Sequence, residues 1–338
     1  MVLLRIEAED GPVGWGDAVP LSLRGGAPLA AVHGELESGC GAILEGAELD
    51  LTRPPAEAGA ALGPLLESCA AEAGPQAVSA VEIALLDLLG HAYGVPAWVV
   101  IGAPSARRVE CNGTLGAGEP ETVGAAAEEL VARGFETLKL KVGAGDDLGR
   151  MRAVRVACGE ATELRIDANG AWGVDEAAEM LAGFASVRLQ LAEQPCASLE
   201  ELAELRRRVA VPIVADESVG SVEEAEGAAA AQACDAATLK LAKVGGVRAA
   251  LQIADRVPSY LSSALDSPLG IAAAVHAAQA LPARGFAAGL AHGLATSGLF
   301  ADNVADDASL RGPSIEPPPA PGLGVEVDEG AVERLRIR

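Results

Sequence analysis

The stretch Thr137-Leu-Lys-Leu-Lys-Val142 alternates two lysines with apolar residues. On a β-strand this spacing sets Lys139 and Lys141 on one face and Leu138, Leu140 and Val142 on the other. Two neighbouring ammonium groups are costly to bury unless anions lie close by. Downstream, ionisable residues end a series of apolar or alternating runs: Leu-Arg-Ile-Asp167, Leu-Gln-Leu-Ala-Glu193, Ile-Val-Ala-Asp216 and Thr-Leu-Lys240. Counted from Lys141, the steps are 26, 26, 23 and 24 residues. Three carboxylates gathered at one place cannot all stay ionised without a cation, and an all-oxygen donor set suits a hard ion such as Mg²⁺. A lysine on each side of that ion is placed to move a proton, with the Lys139 ammonium lowering the pKa of Lys141. The chemistry this points to is abstraction of a proton α to a carboxylate, through an enediolate.

One strand and one helix fit each step, so the five residues fall at the same end of successive parallel strands. The pattern predicts strands at 108–114, 137–142, 163–167, 189–193, 213–216, 237–241 and 260–265, with a final short strand at 286–290. Helices are predicted at 121–133, 146–158, 174–184, 199–209, 221–231, 247–256 and 271–280, and Ser221-Val-Glu-Glu224 reads as a capping box. Eight strands fit a (β/α)₈ barrel with its site at the C-terminal strand ends. A doubly wound open sheet would need one ligand site at a switch point rather than charges on many strands. No G-x-G-x-x-G follows a strand, and there is no P-loop.

The barrel is expected over 105–300. Before it, residues 1–104 read as an α+β capping domain. Two strands at 2–7 and 13–19 form a hairpin around Glu9-Asp-Gly-Pro12, and a helical region at 27–90 includes a strong helix at 78–93. After it, the proline-punctuated tail 301–338 is expected to carry a short strand at 324–327 and to pack back on the cap. Glu82 and Asp87 on the cap helix read as solvated or ion-paired, and His91 and His276 as packing or surface residues. His292 follows the last predicted strand, where it either lines the mouth or packs.

Half of the 338 residues are apolar and the formal net charge is -23. That balance argues against nucleic acid and anionic membrane surfaces, which require clustered basic residues. Six cysteines without a C-x-x-C pair read as reduced apolar side chains. The first residues lack a basic n-region, and no apolar run reaches about 18 residues. A cytoplasmic protein is expected, with association of identical copies left open.

These residues resemble the enolase superfamily, in its muconate-lactonising subgroup, over nearly the whole chain. Lys139-Leu-Lys141 is similar to the K-x-K motif of that subgroup. Asp167-Ala-Asn-Gly-Ala-Trp172, Glu193-Gln-Pro195 and Asp216-Glu-Ser218 are similar to its three metal-ligand motifs, and Lys240 before Gly245-Gly246 to its sixth-strand lysine. Gly14-Trp-Gly-Asp-Ala-Val-Pro20 resembles the capping G-x-G-E-x-x-P segment, with Asp17 in place of Glu. The resemblance implies that Asp167, Glu193 and Asp216 bind Mg²⁺ and that Lys141 is the base. It further implies that Lys139 tunes Lys141, that Lys240 faces it across the substrate, and that Asn169 and Glu217 support the metal.

Within the subgroup, Leu261-Ser-Ser-Ala-Leu-Asp-Ser-Pro-Leu-Gly270 and Val109-Glu-Cys-Asn-Gly-Thr114 resemble o-succinylbenzoate synthases, particularly of actinobacterial type. The Asp-x-Asp motif of dipeptide epimerases is missing from Ala291-His-Gly-Leu-Ala-Thr296. The implied activity is a carbon–oxygen lyase step of menaquinone biosynthesis, syn-dehydration of 2-succinyl-6-hydroxy-2,4-cyclohexadiene-1-carboxylate. N-succinylamino acid racemase, muconate-type cycloisomerase and dipeptide epimerase are the alternatives on one scaffold, and the intact ladder of charges argues against a silent barrel. Ser262 and Ser263 either bind a substrate carboxylate or are satisfied strand-end serines, and Asp266 is a further candidate contact. The family's first capping strand has no counterpart before Val2: either the start is misplaced or the cap is shortened, and the loop at 21–27 would then take more of the substrate closure.

Overall fold

The computed structural model describes every residue except Asp10, residues 22–25, Asp307 and Arg338. At the N-terminus β1 (Val2–Glu7) and β2 (Val13–Ala18) form the expected antiparallel hairpin, Val2 opposite Ala18 and Glu7 opposite Val13. The hairpin lies directly on the helix Pro75–Tyr93. Gly14 and Gly16 permit that approach, since a Cβ on either would collide with the helix backbone at Ala80, Ala84 or Leu88. The helix is apolar nearly all round and is buried without a break from Gln76 to Gly90, as such a pattern requires.

The remaining strands are β3 (Val109–Glu110), β4 (Gly113–Leu115), β5 (Thr137–Lys141), β6 (Glu163–Asp167), β7 (Leu189–Glu193), β8 (Ile213–Ala215), β9 (Ala236–Leu239), β10 (Ser259–Leu261) and β11 (Ser314–Ile315). From β4 to β10 they form one curled, parallel seven-stranded sheet in sequence order, with a helix following each strand. Leu138 and Leu140 of β5 are buried toward the helical layer, where Leu138 and Leu130 close over Gly113. Inside the curl a second, smaller core gathers Leu191, Val214, Ala236, Tyr260, Ala287 and Leu290.

Several sequence expectations are corrected. The segment 286–290 is not a strand: Gly285–Ala287 is a 3₁₀ turn, and Gly285 and Gly289 have φ of 56° and 83°, which breaks extension. Pairing occurs further on, where Cys111 meets His292 and Ser262 meets Gly293 in parallel, so this short segment bonds to both edges of the sheet. No strand forms at 324–327. Val327 makes one antiparallel pairing with Ala305, and the chain ends in the helix Glu329–Leu335. At Ser221 the hydroxyl accepts from Glu224 N–H, but Glu224 turns back to Gly220 N–H, so the box is incomplete. A complete capping box forms instead at Ser198 and Glu201.

Contacts between the N-terminal unit and the rest run through buried carboxylates. Asp17 Oδ2 accepts from Ser267 N–H at 2.8 Å. Glu82 accepts from Arg248 N–H, at the start of the helix Val247–Ala254. Asp87 accepts from Trp15 N–H and from Leu323 N–H in the tail, at 2.8 and 2.7 Å. Glu82 and Asp87 are therefore not solvated: both are buried on backbone N–H groups, and Asp87 also faces His91. Among the described residues no helix is long and apolar enough to cross a membrane.

Candidate active site

Register assembles the site. In the β5–β6 ladder Lys141 stands opposite Asp167, and in the β6–β7 ladder Asp167 stands opposite Glu193. Asp216 directly follows β8 and Lys240 directly follows β9. All five lie at the C-terminal end of the sheet. Carboxylate oxygens of Asp167, Glu193 and Asp216 lie within 4.8 Å of one another, and all three residues are fully buried.

Lysines surround this cluster. Lys139 Nζ is 2.6 Å from Glu193 Oε1 and 2.9 Å from Asp167 Oδ2. Lys141 Nζ reaches the same Asp167 oxygen at 2.5 Å and Asn169 Oδ1 at 3.1 Å. On the far side Lys240 bonds Asp216 Oδ2, while Lys243 bonds Asp216 Oδ1 at 2.9 Å. The two lysines of β5 differ in access: the Lys141 side chain is 35% exposed, the Lys139 side chain 8%. A group that must reach a substrate needs the former, and a group that holds carboxylates together needs the latter.

Burial opposes charge on Lys139, but Asp167 and Glu193 more than reverse that and hold its pKa well above the ordinary lysine value. Burial likewise works against Lys240, and Asp216 and Glu193 bring it above the usual value. Asp167 is buried too, yet Lys139 and Lys141 bring its pKa down to about 2. Asp216 is held far below the carboxylate range by Lys243 and Lys240 despite its burial. At Glu193 burial dominates over the pull of Lys139, and the pKa is raised.

Around the cluster, Asn169 has φ of 47° and donates to Glu217 Oε1 at 2.9 Å while its backbone N–H binds Asp167 Oδ1. Ser263 Oγ accepts from Leu265 and Asp266 N–H, and Asp266 Oδ2 accepts from Ala264 N–H. Ser262 Oγ points to Gly293 O at 3.4 Å. The Ser263 hydroxyl and the Asp266 carboxylate are thus engaged within their own loop, and the Ser262 hydroxyl with Gly293, beside rather than in the carboxylate cluster. Residues 22–25 of the expected closing loop lie outside the described residues. His292 faces inward, where its Nδ1 accepts from Leu261 N–H and burial lowers its pKa to about 4. His276 is buried against Leu323 O. All six cysteines are free.

Two contacts were not anticipated. Lys243 sits one helical turn after Lys240, a spacing that puts both on one face of the chain. Tyr260 donates from its hydroxyl to Glu193 Oε2 at 2.9 Å. An aromatic residue in a strand reads as core, so only the fold reveals that hydrogen bond.

Residues 122–331 match the family described as enolase C-terminal domain-like. The chain belongs to that family. Several relatives are called o-succinylbenzoate synthase, among them two mycobacterial ones. That of Mycobacterium tuberculosis is 46% identical over 212 residues, which are 60% of this chain and 62% of the relative. That of Mycobacterium ulcerans is 41% identical over 251 residues, covering 70% and 72%. Among solved structures, the dipeptide epimerase of Enterococcus faecalis in complex with Mg and L-Leu-L-Tyr is similar with a TM-score of 0.84 and 29% identity, covering 96% of this chain and 91% of that one. This chain thus spans 62% of the length of the mycobacterial relative first named. As a member of the family it carries three buried carboxylates whose all-oxygen donor set fits a hard divalent cation.

Proposed function

We propose that this chain is a Mg²⁺-dependent o-succinylbenzoate synthase, which dehydrates 2-succinyl-6-hydroxy-2,4-cyclohexadiene-1-carboxylate in menaquinone biosynthesis. One observation carries the reading: a buried triad of carboxylates flanked by Lys141 on one side and Lys240 on the other. Two synthases at 41% and 46% identity support the substrate class. In this reading residues 105–300 form a (β/α)₈-type barrel in which the segment at 292–293 closes the seven-stranded sheet, residues 1–104 and 301–338 form the cap, and the protein acts in the cytoplasm on a small carboxylate.

Asp167, Glu193 and Asp216 would hold Mg²⁺, with Asn169 and Glu217 supporting Asp167. When bound, the cation supplies positive charge beside the substrate carboxylate as negative charge develops there. Lys141, as the free amine, takes the proton α to the carboxylate. The C–H electron pair moves onto the carboxylate oxygens and returns to break the C–OH bond on the same face. The Lys141 ammonium gives its proton to the departing hydroxide, so water leaves and the amine is restored. Lys240 stays charged and offsets the developing anion from the opposite side. Lys139 holds Glu193 and Asp167 in place beside Lys141. Ser262, Ser263 and Asp266 are proposed contacts of the loop to the distal part of the substrate.

The test is direct. Purified protein with Mg²⁺ and the cyclohexadiene substrate should lose the diene absorbance with time. A second reading, racemase or epimerase on the same site, is favoured by the likeness to the dipeptide epimerase. Racemisation of N-succinylamino acids without any loss of diene absorbance would replace the first reading by the second.

A further inference from the structure

Glu193 is held differently from its two neighbours. Asp167 is held by the ammonium groups of Lys139 and Lys141, and Asp216 by those of Lys240 and Lys243. Glu193 has an ammonium on Oε1 and a phenol on Oε2. That phenol belongs to Tyr260, which is 2% exposed and packs in the inner core with Leu191, Val214 and Ala236. A buried phenol requires a polar partner, and the carboxylate provides one. The ring itself is fixed from its face by Arg165, whose guanidinium carbon is 5.3 Å from the ring centroid. Arg165 is in turn fixed by Gln190 Oε1 at 2.6 Å and Ala291 O at 2.7 Å.

A carboxylate on a flexible glutamate can rotate about its terminal torsion, which is a broad rather than a staggered one. One donor alone leaves that rotation open, whereas two donors on different oxygens fix it. We propose that Tyr260 is a positioning residue: its hydroxyl sets the rotation of the Glu193 carboxylate, and the Arg165-braced ring holds the hydroxyl in place for that purpose. This rests on the reading of Glu193 as a ligand of a divalent cation. Groups that orient ligands from behind are worth about 10–100-fold in metal affinity.

Tyr260→Phe keeps the ring, its packing and the Arg165 contact, and removes only the donor. Titration calorimetry with MgCl₂ alone should give about 10-fold weaker binding in this variant, while the thermal midpoint of the metal-free protein stays close to that of the wild type. Affinity within twofold of wild type would leave Tyr260 as a packing residue and overturn the inference. If the wild type itself takes no Mg²⁺, the metal reading beneath it falls as well. A readout that leaves position 260 intact guards against a variant that fails to fold. The chain has two tyrosines, so labelling with 3-fluorotyrosine gives two fluorine resonances, and Tyr93→Phe assigns them. Saturating Mg²⁺ should shift the Tyr260 resonance and leave that of Tyr93 in place. An unmoved Tyr260 resonance would also overturn the inference.

Discussion

Lys139 and Glu193 meet across a strand that belongs to neither of them. Lys139 is on β5, Glu193 is on β7, and β6 runs between, yet Nζ and Oε1 are 2.6 Å apart. The contact exists because the sheet is curled and both side chains point into the curl. It makes Lys139 the internal cation of the carboxylate cluster, with Asp167 on its other side at 2.9 Å.

Lys139→Met should therefore destabilise the protein more than it disturbs packing. Removing one partner of a buried ionic group leaves the others uncompensated, a change of about 3–5 kcal/mol. Urea unfolding at pH 7 without divalent metal measures it, and saturating Mg²⁺ should recover part of the loss. An unchanged urea midpoint would mean that the carboxylates do not depend on Lys139.

Lys141→Ala is expected to behave differently. Its side chain is 35% exposed and Asp167 keeps Lys139 as a partner, so its removal should lower the urea midpoint less than Lys139→Met does. Turnover of the diene should fall by about 10²–10⁴, the range for a positioned acid–base group. Lys240→Ala should also reduce turnover, by removing charge opposite the base. Activity retained in Lys141→Ala would rule out its role as the base.

How far the sequence alone could lead follows from where its signals are local. Strands at Glu163–Asp167 and Leu189–Glu193 agree residue for residue with the expectation. Each is a short apolar or alternating run ended by a charge, and neighbouring runs share one period. The eighth strand was misplaced because 286–290 is apolar but contains glycine in a left-handed conformation, and pairing moved on to His292 and Gly293. The solvated alternative for Glu82 and Asp87 fails because the helix around them is apolar nearly all round, whereas Asp87 does face a partner in His91. Tyr260 could not be assigned from sequence, as its partner lies 67 residues away.

Glu82 carries a pH dependence of definite sign. Burial pushes its pKa up from 4.5 to about 7, although the N–H groups of Arg248 and Val247 pull the other way. A carboxyl group with a raised pKa in the folded state gives its full stability below the unfolded value near 4.5, and loses it as pH rises through about 7. The wild type should thus lose up to about 3 kcal/mol from this group between pH 5 and pH 8. Glu82→Gln is neutral throughout and its carbonyl still accepts the same N–H groups, so its stability should fall less over that range. Asp17, raised to about 7 mainly by burial, contributes in the same direction in both proteins. Urea unfolding at four pH values compares the slopes, and equal slopes would exclude the assignment to Glu82.

Metal removal separates the carboxylates that form the cluster from those that merely lie near it. Asp167, Glu193 and Asp216 present oxygens within 4.8 Å of one another, whereas Asp266 is committed to Ala264 N–H in the adjoining loop. Chelated protein titrated with Mg²⁺ should gain thermal stability, by about 2.7 kcal/mol at a hundred times the dissociation constant. Glu193→Gln should lose most of that gain, because a neutral amide is a poorer ligand for a hard cation than a carboxylate. Asp266→Asn should keep it, with any effect on turnover expressed in KM. A Mg²⁺ response lost in Asp266→Asn but kept in Glu193→Gln would move the metal away from the β6–β8 strand ends and toward the loop after β10.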